Sequence, residues 1–126
     1  MKRIVTAFIL TVLIFALAFA GRYIATKSIV SIQTAMEQID TDLAVGNKEQ
    51  ALETSRAFLE EWDKHHGRMC IFLQHDHLDP LETIFALLPY YIEHDEITLA
   101  RANCKTVRTV TEHILKTEQI TVENLL

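Results

Sequence analysis

The feature that most constrains this chain is an unbroken run of 18 uncharged residues, Ile4 to Gly21 (IVTAFILTVLIFALAFAG), entered through Lys2-Arg3 and left through Arg22. At a rise of about 1.5 Å per residue, a helix of that length covers roughly 27 Å, close to the ~30 Å hydrocarbon core of a bilayer. The run has no proline, and its polar atoms include the hydroxyls of Thr6 and Thr11, which can bond back to a helix backbone. It predicts a transmembrane anchor over residues 1–21. The amino terminus, Lys2 and Arg3 outweigh Arg22 and Lys27, so the expected topology is a single pass through the cell membrane, N-terminus cytoplasmic and residues 22–126 extracytoplasmic. The other reading is a signal peptide, because Ala18-Phe19-Ala20 before Gly21 fits a small-x-small cleavage site. Cleavage near Ala20 would secrete the remainder. The anchor is favoured because the apolar run passes through the cleavage region without a polar break. No Cys follows Leu17-Ala18-Phe19-Ala20-Gly21, which argues against a lipoprotein.

Residues 22–126 make one small domain, large enough for a single core. Beyond Arg3 the chain holds ten Lys and Arg against seventeen Asp and Glu, a net charge of −7, which disfavours nucleic acid or an anionic membrane surface as a partner. Three Gly and two Pro leave no room for a Gly-rich phosphate loop, a β-sandwich or a flexible linker. Cys70 and Cys104 lack CxxC spacing. They could pair outside the cytoplasm, but their apolar neighbours favour two small buried side chains.

The domain reads as all helix. Ile29, Ile32, Met36, Ile39 and Leu43 form one apolar stripe at spacings of three and four. No breaker separates that stripe from the anchor, so the two can form one rod. Gly46-Asn47 ends it, with Gly suited to the left-handed position and Asn to an N-cap. A second helix is expected over residues 48–64, with Ala51, Leu52, Ser55, Phe58, Leu59 and Trp62 inward, ending at His65-His66-Gly67. Met69 to Leu73 reads as a short apolar helical piece and residues 74–78 as a connector. Asp79-Pro80-Leu81-Glu82 reads as a helix start, with Asp as N-cap and Pro at N1. The third helix turns Leu81, Ile84, Phe85, Leu88 and Tyr91 or Ile92 inward, with a kink expected at Pro89. Asp95 is the expected N-cap of a fourth helix over residues 96–116, carrying Ile97, Ala100, Cys104, Val107, Thr111 and Ile114 inward, before a short tail. A weak echo links Asn47–Leu52 with Asp95–Ala100, 48 residues on. The expected architecture is therefore all-α: an N-terminal transmembrane helix followed by a small antiparallel four-helix bundle of two helical hairpins.

Two resemblances accompany this reading. Gly46-Asn47-x-x-x-Ala51-Leu52 with Phe58-Leu59 resembles the second helix of a tetratricopeptide repeat, although the 48-residue period departs from that repeat's 34. Over nearly the whole chain, several features resemble domain-of-unknown-function family 4363 of Gram-positive bacteria: the basic start, the apolar span, the Gly-Asn hairpin, the helix ending at Trp62 and the His75–Asp79 segment. That resemblance implies a short, N-terminally anchored helical membrane protein with no catalytic residues or cofactor to carry over.

Six histidines are the compositional oddity. His75, His77 and Asp79 are ligand types for zinc and similar ions, but two residues apart His75 and His77 converge only on an extended backbone. Solvated turn residues are the favoured reading. Ser28, Ser31 and Ser55 lie at no glycine elbow, and adjacent carboxylates such as Glu60-Glu61 point apart on a helix, so an enzyme is not expected. Arg101, Lys105 and Arg108 form a basic stripe that could receive an acidic partner or pair within the chain. The leading expectation is a membrane-anchored interaction or scaffold module, held by residues 4–21, that binds an envelope protein or a second copy. The stripe Ile29–Leu43 fits a parallel dimer seam, and Ala16 and Ala20 make a small-xxx-small pair. The alternative is an extracytoplasmic metal- or small-ligand-binding domain using the His65–Asp79 segment.

Overall fold

The computed structural model describes the backbone of residues 1–72 and 75–125, and the side chains among them other than those of 65–72, 75–78 and 118–125. Four helices follow one another: α1 (Lys2–Ala44), α2 (Lys48–Phe72), α3 (His75–Glu93) and α4 (Ile97–Leu125). Among the described residues there is no strand. The apolar run and the first bundle helix are one element, a 43-residue α1 about 65 Å long.

The two halves of α1 differ in what they touch. From Ile4 to Phe19 every large apolar side chain is more than half exposed. From Gly21 onward one face is buried: Ala25, Ile29, Ile32, Met36, Ile39 and Leu43. This face packs on α2 and α4, which in turn pack on α3; among the described residues the diagonal pairs do not meet. The stripe expected as a dimer seam is thus consumed inside the bundle and is not available to a second copy. The core is completed by Ala51 and Trp62, by Leu81, Phe85, Leu88 and Ile92, and by Ala100, Cys104, Val107 and Ile114. Phe85 meets the rings of Phe58 at 4.8 Å and Trp62 at 4.9 Å, both edge-on, which locks α3 against α2.

The two hairpin turns are the same structure. The Asn47 amide donates to the Asp42 carbonyl at 2.8 Å and the Gly46 amide to Leu43 at 3.3 Å, a Schellman motif with Gly46 left-handed at φ 81. The Glu96 amide donates to Tyr91 at 2.8 Å and the Asp95 amide to Ile92 at 3.3 Å, with Asp95 at φ 59. Asp95 is therefore the left-handed residue closing α3 rather than an N-cap. Glu96 opens α4, since its carbonyl accepts the Ala100 amide. The echo's true offset is 49. Ile32, Met36, Ile39, Leu43, Ala51 and Ser55 match Leu81, Phe85, Leu88, Ile92, Ala100 and Cys104, all buried. Between residues 32–64 and 81–113, burial class agrees everywhere except at Asp42/Tyr91, Leu52/Arg101, Phe58/Val107 and Glu61/Val110. The bundle is two copies of one hairpin related by a pseudo-twofold along its axis.

Several boundaries differ from expectation. α2 runs through Gly67 to Phe72, because a mid-helix Gly costs only about 1 kcal/mol and the buried face of α1, which begins at Gly21, needs cover. α3 begins at His75, so Asp79 is not its cap and Pro80 lies inside it. The missing Pro80 amide leaves one carbonyl, that of Asp76, without its helical bond. Pro89 also lies inside α3, which continues through it to Glu93. α4 extends past residue 116 to Leu125 instead of ending in a tail. Its β-branched run stays helical because the hydroxyls of Thr106, Thr109 and Thr111 donate to the carbonyls of Ala102, Lys105 and Val107 at 3.0, 2.9 and 2.8 Å.

Candidate functional site

The polar chemistry of the bundle gathers along α4 and at the turns. α4 presents Arg101, Lys105 and Arg108 at helical spacing along its groove with α1, whose lining also includes Asp40, Thr109 and Glu112. Arg101 Nε donates to Asp40 Oδ1 at 2.8 Å, across 61 residues of sequence. One member of the expected interaction stripe is thus paired within the chain. The pair is partly exposed, 49 % and 29 % at the two side chains, so its worth is about 0–1 kcal/mol. Lys105 is exposed and Arg108 half-buried; neither has an ion-pair partner among the described residues. On the other side of α1, a second groove with α2 has Phe58 and Trp62 in its floor and Lys27, Glu53 and Glu61 at its edges.

The two turns lie side by side at the end of the bundle remote from the apolar run. Lys48 Nζ binds Asp95 Oδ1 at 2.7 Å and the Glu93 carbonyl at 3.3 Å, and Arg56 reaches Glu93 at 3.5 Å. These contacts tie the hairpins together where their loops are shortest. Tyr90 is exposed there. It stacks on His94 with ring centroids 4.2 Å apart, and His94 Nδ1 lies 2.9 Å from the Tyr90 carbonyl.

The backbone of His75 and His77 is helical, not extended, and their side chains lie outside the described residues. Asp79 is exposed. Among the described residues no cluster of His, Cys, Asp or Glu is arranged to hold a metal ion. Cys104 is a fully buried free thiol. Burial pushes its pKa up from 9.0 to about 12; the Asp40 carboxylate pushes the same way, and Arg108 and Arg101 oppose it. The side chain of Cys70 lies outside the described residues. Its backbone position is 15 residues further along α2 than Ser55, the counterpart of Cys104, so the two Cα atoms differ in height by about 22 Å. Disulfide geometry needs about 4.4–6.8 Å between Cα atoms, which excludes the intramolecular bridge.

The apolar stripe predicts that Asp42 faces away with the polar residues Gln33, Glu37, Gln38 and Asp40, but Asp42 is only 7 % exposed in the last turn of α1. Its Oδ1 accepts from Gln38 Nε2 at 3.2 Å, while its Oδ2 has no hydrogen-bond partner among the described residues. A carboxylate at the negative end of a helix, half-satisfied and buried, breaks two local rules at once. Its counterpart in the other hairpin is Tyr91, so the apolar pattern offered no signal for it.

One family model matches, that described as Domain of unknown function (DUF4363), over residues 19–125. No curated protein and no solved structure matches. The matched span begins two residues before the first buried residue, so it coincides with the bundle and leaves most of the apolar run outside.

Proposed function

The chain belongs to the DUF4363 family of unknown function, and on that premise we propose that it is a membrane-anchored interaction module whose helical bundle stands on the extracytoplasmic surface. The observation that carries this reading is the exposure of the apolar side chains between Ile4 and Phe19 on a helix that continues without a break into the bundle core. A helix apolar on every side matches lipid, not water, around it. The register of Arg101 on Asp40 carries the end of α4, 24 residues further on, to the level of about Ala16. α4 thus reaches past Gly21, where the apolar run ends, by about five residues of α1, and the bundle meets the membrane surface with no linker. Lys2 and Arg3 ahead of the run favour a cytoplasmic N-terminus. The rigid connection also fits a scaffold, because a continuous helix fixes the bundle's tilt to that of its anchor.

The test is capture of the tagged full-length protein from cross-linked native membranes, read by mass spectrometry together with its own intact mass. The reading expects a mass retaining residues 1–21 and a reproducible cross-linked partner, either another envelope protein or a second copy. A mass beginning at Gly21 would mean a released domain, and absence of any cross-linked protein would refute the interaction role.

A further inference from the structure

The two hairpins share a backbone but not an outer surface, and from that difference we infer that two copies of this chain pair through the α3/α4 face, about a twofold axis along the membrane normal. The inference rests on the membrane-anchored reading above. Residues 49 apart occupy equivalent sites. The groove that α1 and α2 form around Ala35, Gln50, Glu53 and Ala57 therefore has its equivalent between α3 and α4, around Ile84, Leu99, Ala102 and Thr106. Gln38, Gln50 and Glu53 in the first hairpin become Leu87, Leu99 and Ala102 in the second, exposed in both. Glu61 becomes Val110, and Asp42 becomes Tyr91. Beyond Val45, the exposed large apolar side chains among the described residues are Leu87, Tyr90 and Leu99, all on this hairpin. From Thr83 to Ile92, α3 has no charged residue. From Leu99 to Val110, the charges of α4 are Arg101, Lys105 and Arg108, which line its groove with α1 on the other side. Toward the turn, carboxylates return at Asp95 and Glu96, and Lys48 holds Asp95 at 2.7 Å.

The shape of the face selects a second copy as the partner. α3 contributes large side chains, Ile84, Leu87 and Tyr91, whereas α4 has only Ala102 and Thr106 beyond Leu99 along the same groove. In a hairpin that turns at Asp95, residues equidistant from it are level. Tyr91 is level with Leu99, Ile84 with Thr106, and Leu87 lies within one residue of Ala102. A twofold along the bundle axis keeps every height and sets α3 of one copy against α4 of the other. Ile84 then faces Thr106 and Leu87 faces Ala102, so the ridge of each copy fills the furrow of its partner. An isologous contact sets one patch against itself, and a charge-free patch does so without burying an unpaired ion. Because the axis follows the membrane normal, both anchors cross one bilayer in the same direction. α1 lies across the bundle from this face, so with about 10 Å between packed helices the two anchors stand roughly 30 Å apart. Confinement to the membrane raises the effective concentration at which so small a contact forms.

Energy transfer between full-length protein labelled with donor and with acceptor at the N-terminus, in neutral-lipid proteoliposomes, tests the contact. Wild type should transfer above the chance level and keep the excess at ~1 M salt, where a screening length of about 3 Å removes attraction between surface charges. Leu87→Gln with Leu99→Gln and Ala102→Glu gives the second hairpin the outer residues of the first and should bring transfer to chance. The first hairpin carries those residues at the equivalent sites, and circular dichroism checks that the variant keeps its helices. Leu87→Lys and Ala102→Glu should each lose the excess alone and recover part of it when mixed. The new cation on α3 of one copy then meets the new carboxylate on α4 of the other. Ala16→Leu with Ala20→Leu should change nothing, since the anchors do not touch. Chance-level transfer in wild type, loss of the excess at ~1 M salt or in the anchor variant, its survival in the triple variant, or no recovery on mixing would overturn the proposal. The anchored interaction role has its own test in the native-membrane capture, where a foreign partner can stand while self-contact fails.

Discussion

If neither hairpin can bury its apolar face alone, damage to one must melt both. Phe85 and Met36 are counterparts in the two hairpins, with exposures of 1 % and 0 %. Phe85→Ala removes a ring that touches Phe58 and Trp62 edge-on at under 5 Å. Buried Phe→Ala changes cost about 3–5 kcal/mol, and loss of two aromatic contacts places this one near the top of that range. Met36→Ala should cost about 3 kcal/mol. For a domain of this size each kcal/mol lowers Tm by about 4–8 °C, so Phe85→Ala should melt at least about 15 °C below wild type and Met36→Ala at least about 12 °C below. The double variant loses about 8 kcal/mol, comparable to the whole stability of a small domain, and should be unfolded at room temperature. The assay is thermal circular dichroism of the full-length protein in detergent, followed at 222 nm and by Trp62 fluorescence. Each single variant should give one transition, coincident by both probes. Two transitions in Phe85→Ala, one of them at the wild-type temperature, would refute the single shared core and make the hairpins independent units.

Four further outcomes follow from local features. Cys104 should resist alkylation at pH 8 in the folded protein and react on unfolding, as read by mass after iodoacetamide; because the folded state holds its proton more tightly, this contribution is whole below pH 9.0 and is lost as pH rises toward about 12. Gly46→Ala should lose about 1 kcal/mol in denaturant melts through backbone strain alone, since Gly46 sits at φ 81 and an added Cβ meets nothing within 4 Å. Asp42→Asn should gain about 1 kcal/mol in the same melts by removing a buried charge from the negative end of α1, and a loss would show that the carboxylate has a partner it needs. A fragment starting at Gly21 keeps the whole buried core and should fold in plain buffer with a Tm within a few degrees of the full chain, whereas a collapsed state without a cooperative melt would show that the apolar run helps hold the bundle.

The helix faces were legible in the sequence because burial on a helix has a 3.6-residue period and every expected inward position from Ala51 to Ile114 is buried or half-buried. The boundaries were not, because glycine and proline report local cost while tertiary cover decides the outcome. Gly67 costs about 1 kcal/mol of backbone entropy and Pro80 forfeits one helical hydrogen bond, less than α2 and α3 gain by packing along the bundle. Asp95 misled for a different reason: Asp is a good N-cap but also one of the few residues other than Gly that tolerates the left-handed position. That one-residue error made the echo 48 long and hid the match of Ile32, Met36 and Ile39 with Leu81, Phe85 and Leu88. The basic stripe was readable as a stripe because its members share one helix. Its contact with Asp40 was not, since no periodicity on α4 locates a residue on α1.

The duplicated hairpin separates what the fold requires from what it leaves free. At several buried counterparts the chemistry is held: Leu43 and Ile92, Ala51 and Ala100, Ser55 and Cys104 differ by little in size or polarity, whereas Trp62 has Thr111 as its buried counterpart. At exposed counterparts it changes character: Glu53 faces solvent where the other hairpin has Ala102, and Glu60 where it has Thr109. Packing cannot account for this second set, because both hairpins present the same backbone to the same solvent. A bundle held together only by its core would tolerate equally acidic outer faces on α2 and α4. The different charge placed at exposed counterparts, Glu53 against Ala102 and Glu60 against Thr109, is therefore the part of the sequence that stability leaves unexplained. It is there, and at Asp42 where the buried pattern itself is broken, that selection for a partner has room to act.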